Sequence, residues 1–241
     1  MEKTKARGMN ERIRKLRQLS VGTQPHIYME RAVLETEAYQ RYEGKVSIPE
    51  LRALTLKHIF SHKKLYIGEG ELIVGEKGDY PQSAPTFPEL CCHTLEDMRN
   101  MNDRKVVNFS VTEEDLKVQE EKIIPYWEER SMRRRILESM PEEWKEAYAA
   151  GIFTEFMEQR GPGHTVGSAK LYEKGDLDYQ EDIRAALAKL DYQSDPDALN
   201  KRDQLNAMLI ACDAIMILGK RYGELAREMA AGCADEQRKK E

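Results

Sequence analysis

The sequence has no apolar run close to the roughly 20 residues that a membrane-spanning helix needs. Its first ten residues are polar and lack the apolar core of a secretory signal. Only four cysteines occur, and no pair has the CxxC spacing of a zinc site or a redox motif. The net charge of -5 argues against a nucleic-acid surface. We therefore expect a cytoplasmic protein that binds no membrane, no nucleic acid and no metal.

Helical periodicity is the main pattern that is present. Between Asp203 and Met229, apolar residues recur at three- and four-residue steps, which predicts one long amphipathic helix. Gly219 and Gly223 lie inside it and indicate close packing against a neighbour or a local break. Shorter helices are predicted over Glu30–Tyr42, Ser47–Phe60, Thr112–Trp127 and Glu142–Ala150, with capping signals or a proline at the start of the last three.

Strand patterns are few. Glu71–Gly75 is a short apolar run between glycines, and Lys105–Val111 is rich in β-branched residues, so both are predicted strands. The proline-rich stretch Gly78–Cys92 between them reads as a loop, with Cys91 and Cys92 packed beneath it. The predicted fold class is therefore mainly α with a few short β-strands.

One segment combines groups that could act on a substrate. Residues 153–165 place two aromatic rings, two carboxylates and an arginine before a Gly-Pro-Gly turn, and His164 follows that turn. A rigid turn could hold the imidazole where it exchanges a proton with a substrate hydroxyl. From the spacing alone, a surface loop with a hydrogen-bonded histidine is the better interpretation.

Several short motifs, taken in order, resemble the N-terminal landmarks of glycyl radical enzymes of the pyruvate formate-lyase superfamily. They are Glu30–Ala32, Arg52–Ala53, Gly70–Gly75, Phe87–Glu89 and Pro125–Trp127. The resemblance runs from about Glu11 to the end of the chain. Within the superfamily the chain is similar to the branch of trans-4-hydroxy-L-proline dehydratases, in the segments Gly70–Asp79, Pro85–Thr94, Phe153–Arg160, Pro162–Val166 and Ile210–Tyr222.

The resemblance implies that residues 1–241 are the N-terminal portion of a single domain, an incomplete part of the ten-stranded α/β barrel of these enzymes. The sequence has no Gly-Cys-Val-Glu-like motif for the thiyl cysteine and no Arg-Val-x-Gly-Tyr-like radical loop. Family chains are several times longer. We therefore expect a truncated gene, a partial sequence or an excised domain that lacks the radical-bearing part and is inactive alone.

The resemblance also implies the chemistry of the parent enzyme. In the family, a glycyl radical generates a cysteine thiyl radical, which takes a hydrogen atom from the substrate, here to convert trans-4-hydroxy-L-proline to a pyrroline carboxylate. An S-adenosylmethionine-dependent iron–sulfur activase installs the radical. The expected parent is an anaerobic homodimer, and the present chain is expected to bind no cofactor itself.

Two site residues follow from the resemblance. Phe156 matches an aromatic residue that packs on the proline ring, and His164 matches a histidine that hydrogen-bonds the substrate hydroxyl and could assist the departure of water. Two alternatives stay open. The parent could be another member, such as a formate C-acetyltransferase-like lyase, a diol dehydratase or an arylacetate decarboxylase, or the chain could be a standalone helical interaction protein.

Overall fold

The computed structural model describes residues 10–152 and 169–241. Over these residues, no helix combines the length and the apolar content that are needed to cross a bilayer. Helices account for most of the described chain, and two three-residue strands accompany them. The helices are α1 (Glu11–Gly22), α2 (Glu30–Tyr42), α3 (Ile48–His62), α4 (Leu95–Asp103), α5 (Glu113–Val118), α6 (Ile124–Trp127), α7 (Met132–Ser139), α8 (Glu142–Ala149), α9 (Lys170–Glu173), α10 (Asp176–Leu187), α11 (Ala198–Gly232) and α12 (Glu236–Lys240).

The two strands, β1 (His26–Tyr28) and β2 (Ser83–Pro85), pair in parallel. Ile27 lies opposite Ala84 in this register, and Ser110 adds an isolated parallel bridge to His26. A parallel pair needs a long crossover, which α2 and α3 supply. Because the strands are parallel, their carboxyl ends lie side by side, and the residues that follow them meet at one edge.

Local signals set the helix starts, as predicted. At α5, the Thr112 hydroxyl accepts from the Asp115 amide at 3.1 Å, and the Asp115 carboxylate accepts from the Thr112 amide at 2.9 Å. At α3, the Glu50 carboxylate accepts from the Ser47 amide at 3.3 Å and from the Ser47 hydroxyl at 2.9 Å, and Pro49 lies in the first turn. These contacts satisfy amide groups that have no partner within the helix.

The core forms where α2, the two strands and the α5–α6 region meet. A single π-helical turn, Gln119–Ile123, separates α5 from α6 and precedes Pro125, which has no amide hydrogen to donate. This wider turn directs Trp127 inward, where its indole nitrogen donates to the Thr36 hydroxyl at 2.8 Å. The buried cluster comprises Ile27, Met29, Ala32, Met98, Leu116, Ile123 and Trp127.

Helix α11 packs along α3 and also contacts α10. The Arg221 guanidinium donates to the carbonyl oxygens of Phe60 at 2.6 Å and of Lys63 at 2.8 Å. These carbonyls belong to the last turn of α3 and to the residue that ends it, where backbone acceptors lack helical partners. Lys57 of α3 also pairs with Asp213 of α11 at 2.9 Å. The long helix thus covers α3 and closes its C-terminal end.

Both strand predictions outside the proline-rich loop are wrong. Residues 71–75 form no strand, and the side chain of Ile73 is 93% exposed. Within Lys105–Val111 only Ser110 makes a bridge, and Val107 has a φ of 54°. A β-prone sequence forms a strand when it pairs with a neighbouring strand along its length. Among the described residues, 71–75 have no strand partner, and the second segment pairs with β1 only at Ser110. Instead, β2 lies within the stretch that reads as a loop.

The expectation for the two glycines of α11 is also wrong. The helix runs unbroken through Gly219 and Gly223. A Cβ atom added at Gly219 would meet no described residue within 4 Å, so no packing seen in the described part of the chain requires glycine there.

We therefore expect Gly219→Ala to raise the free energy of unfolding by about 0.5–1 kcal/mol, because alanine loses less backbone entropy in a helix. Gly151 is the matched control. Its surroundings are equally open, but its φ of 71° disfavours a side chain, so Gly151→Ala should cost about 1–2 kcal/mol. Urea unfolding of both variants measures the difference. A loss of stability in Gly219→Ala would contradict the prediction.

Candidate functional site

The two predicted site residues, Phe156 and His164, lie outside the described residues, as does all of 153–168. The structure therefore does not test them. What it does describe is the framework on the N-terminal side of this segment: the ends of the two strands, the loop after β2, and helices α7 and α8. We build the site from these elements.

An arginine joins the two strand ends. Arg31 lies in the first turn of α2, which follows β1, and Glu89 lies in the loop after β2. Two guanidinium nitrogens of Arg31 donate to the two Glu89 oxygens at 2.6 and 3.1 Å, and one also donates to the Thr86 carbonyl at 3.1 Å. The guanidinium carbon lies 4.0 Å from the centre of the Phe87 ring. A planar guanidinium suits this paired and stacked geometry, so Arg31 fixes the loop against α2.

The buried carboxyl group of Glu35 lies beside this arginine, with Oε2 3.2 Å from Arg31 Nη2. Burial, assisted by the negative charge of Glu89, raises the pKa of Glu35 to about 7, although Arg31 and Arg52 act in the opposite direction. Arg31 therefore contacts two acidic side chains, Glu89 and Glu35, and the raised pKa of Glu35 leaves its carboxyl group partly protonated near neutral pH.

A pH dependence of stability follows from the raised pKa. Unfolding restores the ordinary pKa near 4.5, so between about pH 4.5 and 7 the folded chain holds a proton that the unfolded chain has released. The contribution of the protonated Glu35 carboxyl group to the stability of the fold is therefore complete below pH 4.5 and is lost as the pH rises towards 7. In Glu35→Gln, the change in the free energy of unfolding over this pH range should be smaller by about 1–3 kcal/mol. Urea unfolding between pH 4.5 and 8 measures this change.

The exposed Glu120 provides the matched control, since the same substitution there removes a carboxyl group that lies in solvent and not in the core. Glu120→Gln should leave the pH profile unchanged. Identical profiles for Glu35→Gln and the unsubstituted chain would contradict the assignment.

A cavity of about 380 Å³ lies on one side of the loop after β2, lined by Ile27, Phe87, Leu90, Cys91, Met132 and Arg133 among others. Arg133 donates to the Cys91 sulfur at 3.3 Å and to the Tyr148 hydroxyl at 2.6 Å. Tyr148 belongs to α8, the last described helix before residue 153. Arg133 thus connects the loop to the element that precedes the predicted site segment.

The neighbouring cysteines pack as expected from the sequence. Cys91 is buried and Cys92 is half-buried. Burial raises the pKa of Cys92 to about 12, so this thiol stays protonated and is a poor nucleophile. Within the described ranges, no group of three or more histidine, cysteine or acidic residues could hold a metal ion.

Glu35 was not among the residues predicted for the site, and Arg31 and Glu89 had no predicted role beyond their place in family motifs. One signal was available for Glu35, because it lies four residues after Arg31 on the same helix and therefore on the same face. The pairing of Arg31 with Glu89 has no such signal, since it depends on the parallel register of β1 and β2.

Comparison with known proteins places the chain in a family. Residues 8–241 match the family model of pyruvate formate lyase-like proteins, and the chain belongs to that family. The trans-4-hydroxy-L-proline dehydratase of Clostridioides difficile is 56% identical over 98% of this chain and 30% of its own length. The family that the motifs predict is confirmed.

Solved structures agree with this assignment. The crystal structure of hydroxyproline dehydratase from Clostridioides difficile, with trans-4-hydroxy-L-proline bound, matches 98% of this chain with a TM-score of 0.91 and 56% identity. The B12-independent glycerol dehydratase of Clostridium butyricum matches 96% with a TM-score of 0.83 and 28% identity. The chain spans about 30% of the length of these relatives. The mainly helical, partial fold is therefore confirmed.

Proposed function

We propose that the chain is the N-terminal part of a glycyl radical dehydratase that converts trans-4-hydroxy-L-proline to a pyrroline carboxylate. One observation carries this proposal: the identity is 56% to a hydroxyproline dehydratase but 28% to a glycerol dehydratase, over nearly the same residues. In this proposal, residues 1–241 form a portion of a single domain, and the rest of the domain supplies the radical glycine and the thiyl cysteine.

The proposed role of this chain is to bind the substrate and move a proton. The glycyl radical of the complete enzyme supplies hydrogen-atom abstraction through a cysteine. Phe156 packs on the proline ring, and His164 hydrogen-bonds the hydroxyl group and protonates it as it leaves as water. The contacts of Arg31 with Glu89, and of Arg133 with Tyr148, support this role because they fix the loop and the helix that precede residue 153.

The proposal extends to partners and surroundings. A carbon-centred radical requires a closed site without oxygen or bulk water, so the complete enzyme would work in an anaerobic cytoplasm. An S-adenosylmethionine-dependent iron–sulfur enzyme would install the radical. The complete enzyme would be a homodimer.

A chimera tests the function. Residues 1–241 replace the matching stretch of the Clostridioides difficile dehydratase, and the protein is activated as the parent enzyme is. Electron paramagnetic resonance measures the glycyl radical, and mass spectrometry measures the pyrroline carboxylate. We expect turnover of trans-4-hydroxy-L-proline within about tenfold of the parent enzyme, and none of glycerol.

A second chimera that carries the matching stretch of the glycerol dehydratase is the control and should not dehydrate hydroxyproline. If the first chimera carries the radical in normal yield but does not dehydrate hydroxyproline, the proposed substrate is wrong.

A further inference from the structure

A large groove adjoins the 380 Å³ cavity at the loop after β2, and the two linings share Phe87, Leu90 and Met132. Helices α2, α3 and α11 and the loop Pro85–Leu90 line it, and we call it the α2–α3–α11 groove. Its volume is about 1320 Å³. Small-molecule sites usually enclose about 300–1,000 Å³, so the size suits a segment of polypeptide rather than a metabolite.

The groove is apolar where it is open to solvent. Five large apolar side chains on its lining are each at least 42% exposed, among them Ile48 at 75%. Folded chains seldom leave such a set together on one surface unless another molecule or segment covers it. The five are Ile48, Phe87, Leu90, Met132 and Met208.

Two arginines on the lining add a charge requirement. Arg52 and Arg135 are exposed, and the described residues give neither guanidinium a hydrogen bond or an ion pair. Of the acidic groups on the same lining, Glu30 and Glu89 accept hydrogen bonds and Glu35 pairs with Arg31. The described residues give the carboxylate of Glu76 and the ammonium group of the adjacent Lys77 no hydrogen bond or ion pair. An occupant would therefore place apolar side chains along the groove and carboxylates opposite the two arginines.

The relatives indicate the source of that occupant. The solved hydroxyproline dehydratase contains this fold at a TM-score of 0.91, yet this chain covers only 30% of it. The same helices thus lie within a chain about three times longer. We propose that the α2–α3–α11 groove is the docking surface for the polypeptide that forms the remaining part of the pyruvate formate lyase-like domain. This inference rests on the proposed function, since it takes the chain to be one portion of such a domain.

Site-specific labelling tests the proposal. Single cysteines replace Met208, inside the groove, and Ile215, outside it on the same helix; the two side chains are 44% and 50% exposed. Each variant is made in the 241-residue chain and in the chimera with the rest of the dehydratase. Reaction with a maleimide is followed by peptide mass spectrometry, which separates these sites from the native cysteines.

In the chain alone, both cysteines should react at similar rates. In the chimera, Met208→Cys should react at least tenfold more slowly, whereas Ile215→Cys should keep its rate. A second pair of variants tests the charge requirement. Arg52→Glu should lower the melting temperature of the chimera by several degrees. The control, Arg99→Glu, changes an exposed arginine outside the groove and should leave the melting temperature unchanged.

Three outcomes would overturn the proposal. The first is equal reactivity of Met208→Cys in the two proteins. The second is slow reaction in the chain alone that dilution restores, because a second copy would then occupy the groove. The third is a chimera that fails to fold when the parent dehydratase folds. Labelling needs neither the radical nor turnover, so a protected groove in a chimera that carries the radical but does not dehydrate hydroxyproline would refute the proposed substrate and leave the docking surface intact.

Discussion

Replacing His164 by alanine in the chimera should lower kcat for trans-4-hydroxy-L-proline by about 10²–10⁴-fold, the usual contribution of a positioned general acid. The reason is that hydroxide is a poor leaving group, and the imidazolium would supply the proton as the C–O bond breaks. Product formation under anaerobic conditions measures the loss. Because the substrate still binds through the proline ring, KM should change much less than kcat.

The control is His62→Ala, since His62 is an exposed histidine at the end of α3. It should leave both kcat and KM unchanged. The amount of glycyl radical must also be equal in the two variants, which separates a loss of proton transfer from a loss of activation. A His164→Ala variant with normal radical content and normal turnover would remove His164 from the mechanism.

Replacing Trp127 by alanine should have the largest effect on stability, a loss of about 3–5 kcal/mol in the free energy of unfolding. Its side chain is buried at the centre of the core cluster, and its ring lies 4.7 Å from that of Tyr39. Thr36→Val isolates the hydrogen bond. It should cost about 1–3 kcal/mol, because it leaves the indole N–H buried without its acceptor.

Urea unfolding at constant slope measures both losses. The control is Tyr172→Ala, at an aromatic side chain that is 95% exposed, which should change stability by less than about 0.5 kcal/mol. If Trp127→Ala were no more costly than Tyr172→Ala, the core described for this chain would be incorrect.

The helices were predictable because their signals are local. The pairs Ser47 with Glu50 and Thr112 with Asp115 lie three residues apart, so the sequence contains the whole interaction. The strands were not predictable for the opposite reason. Ile73 and Val107 have the side chains of strand residues, but a strand also needs a partner, and no local pattern states whether one is present.

The candidate site was also predictable only in part. Phe156 and His164 came from a family resemblance, whereas spacing alone favoured a surface loop. The raised pKa of Glu35 could not be predicted, because it depends on burial and on Glu89, which is 54 residues away in sequence. Periodicity identified α11 but could not say that the space around Gly219 is open, since that depends on what surrounds the helix.

The packing of α11 on α3 has a consequence for synthesis on the ribosome. Arg221 of α11 donates a hydrogen bond to the Phe60 carbonyl in the last turn of α3, and about 160 residues separate the two in sequence. At roughly 5–20 residues per second, α3 leaves the ribosome roughly 10–30 s before its partner helix exists. During that interval the apolar face of α3 is open to chaperones and to neighbouring nascent chains. Although the helix signals are short-range, the yield of folded protein should therefore depend on translation speed and chaperone supply.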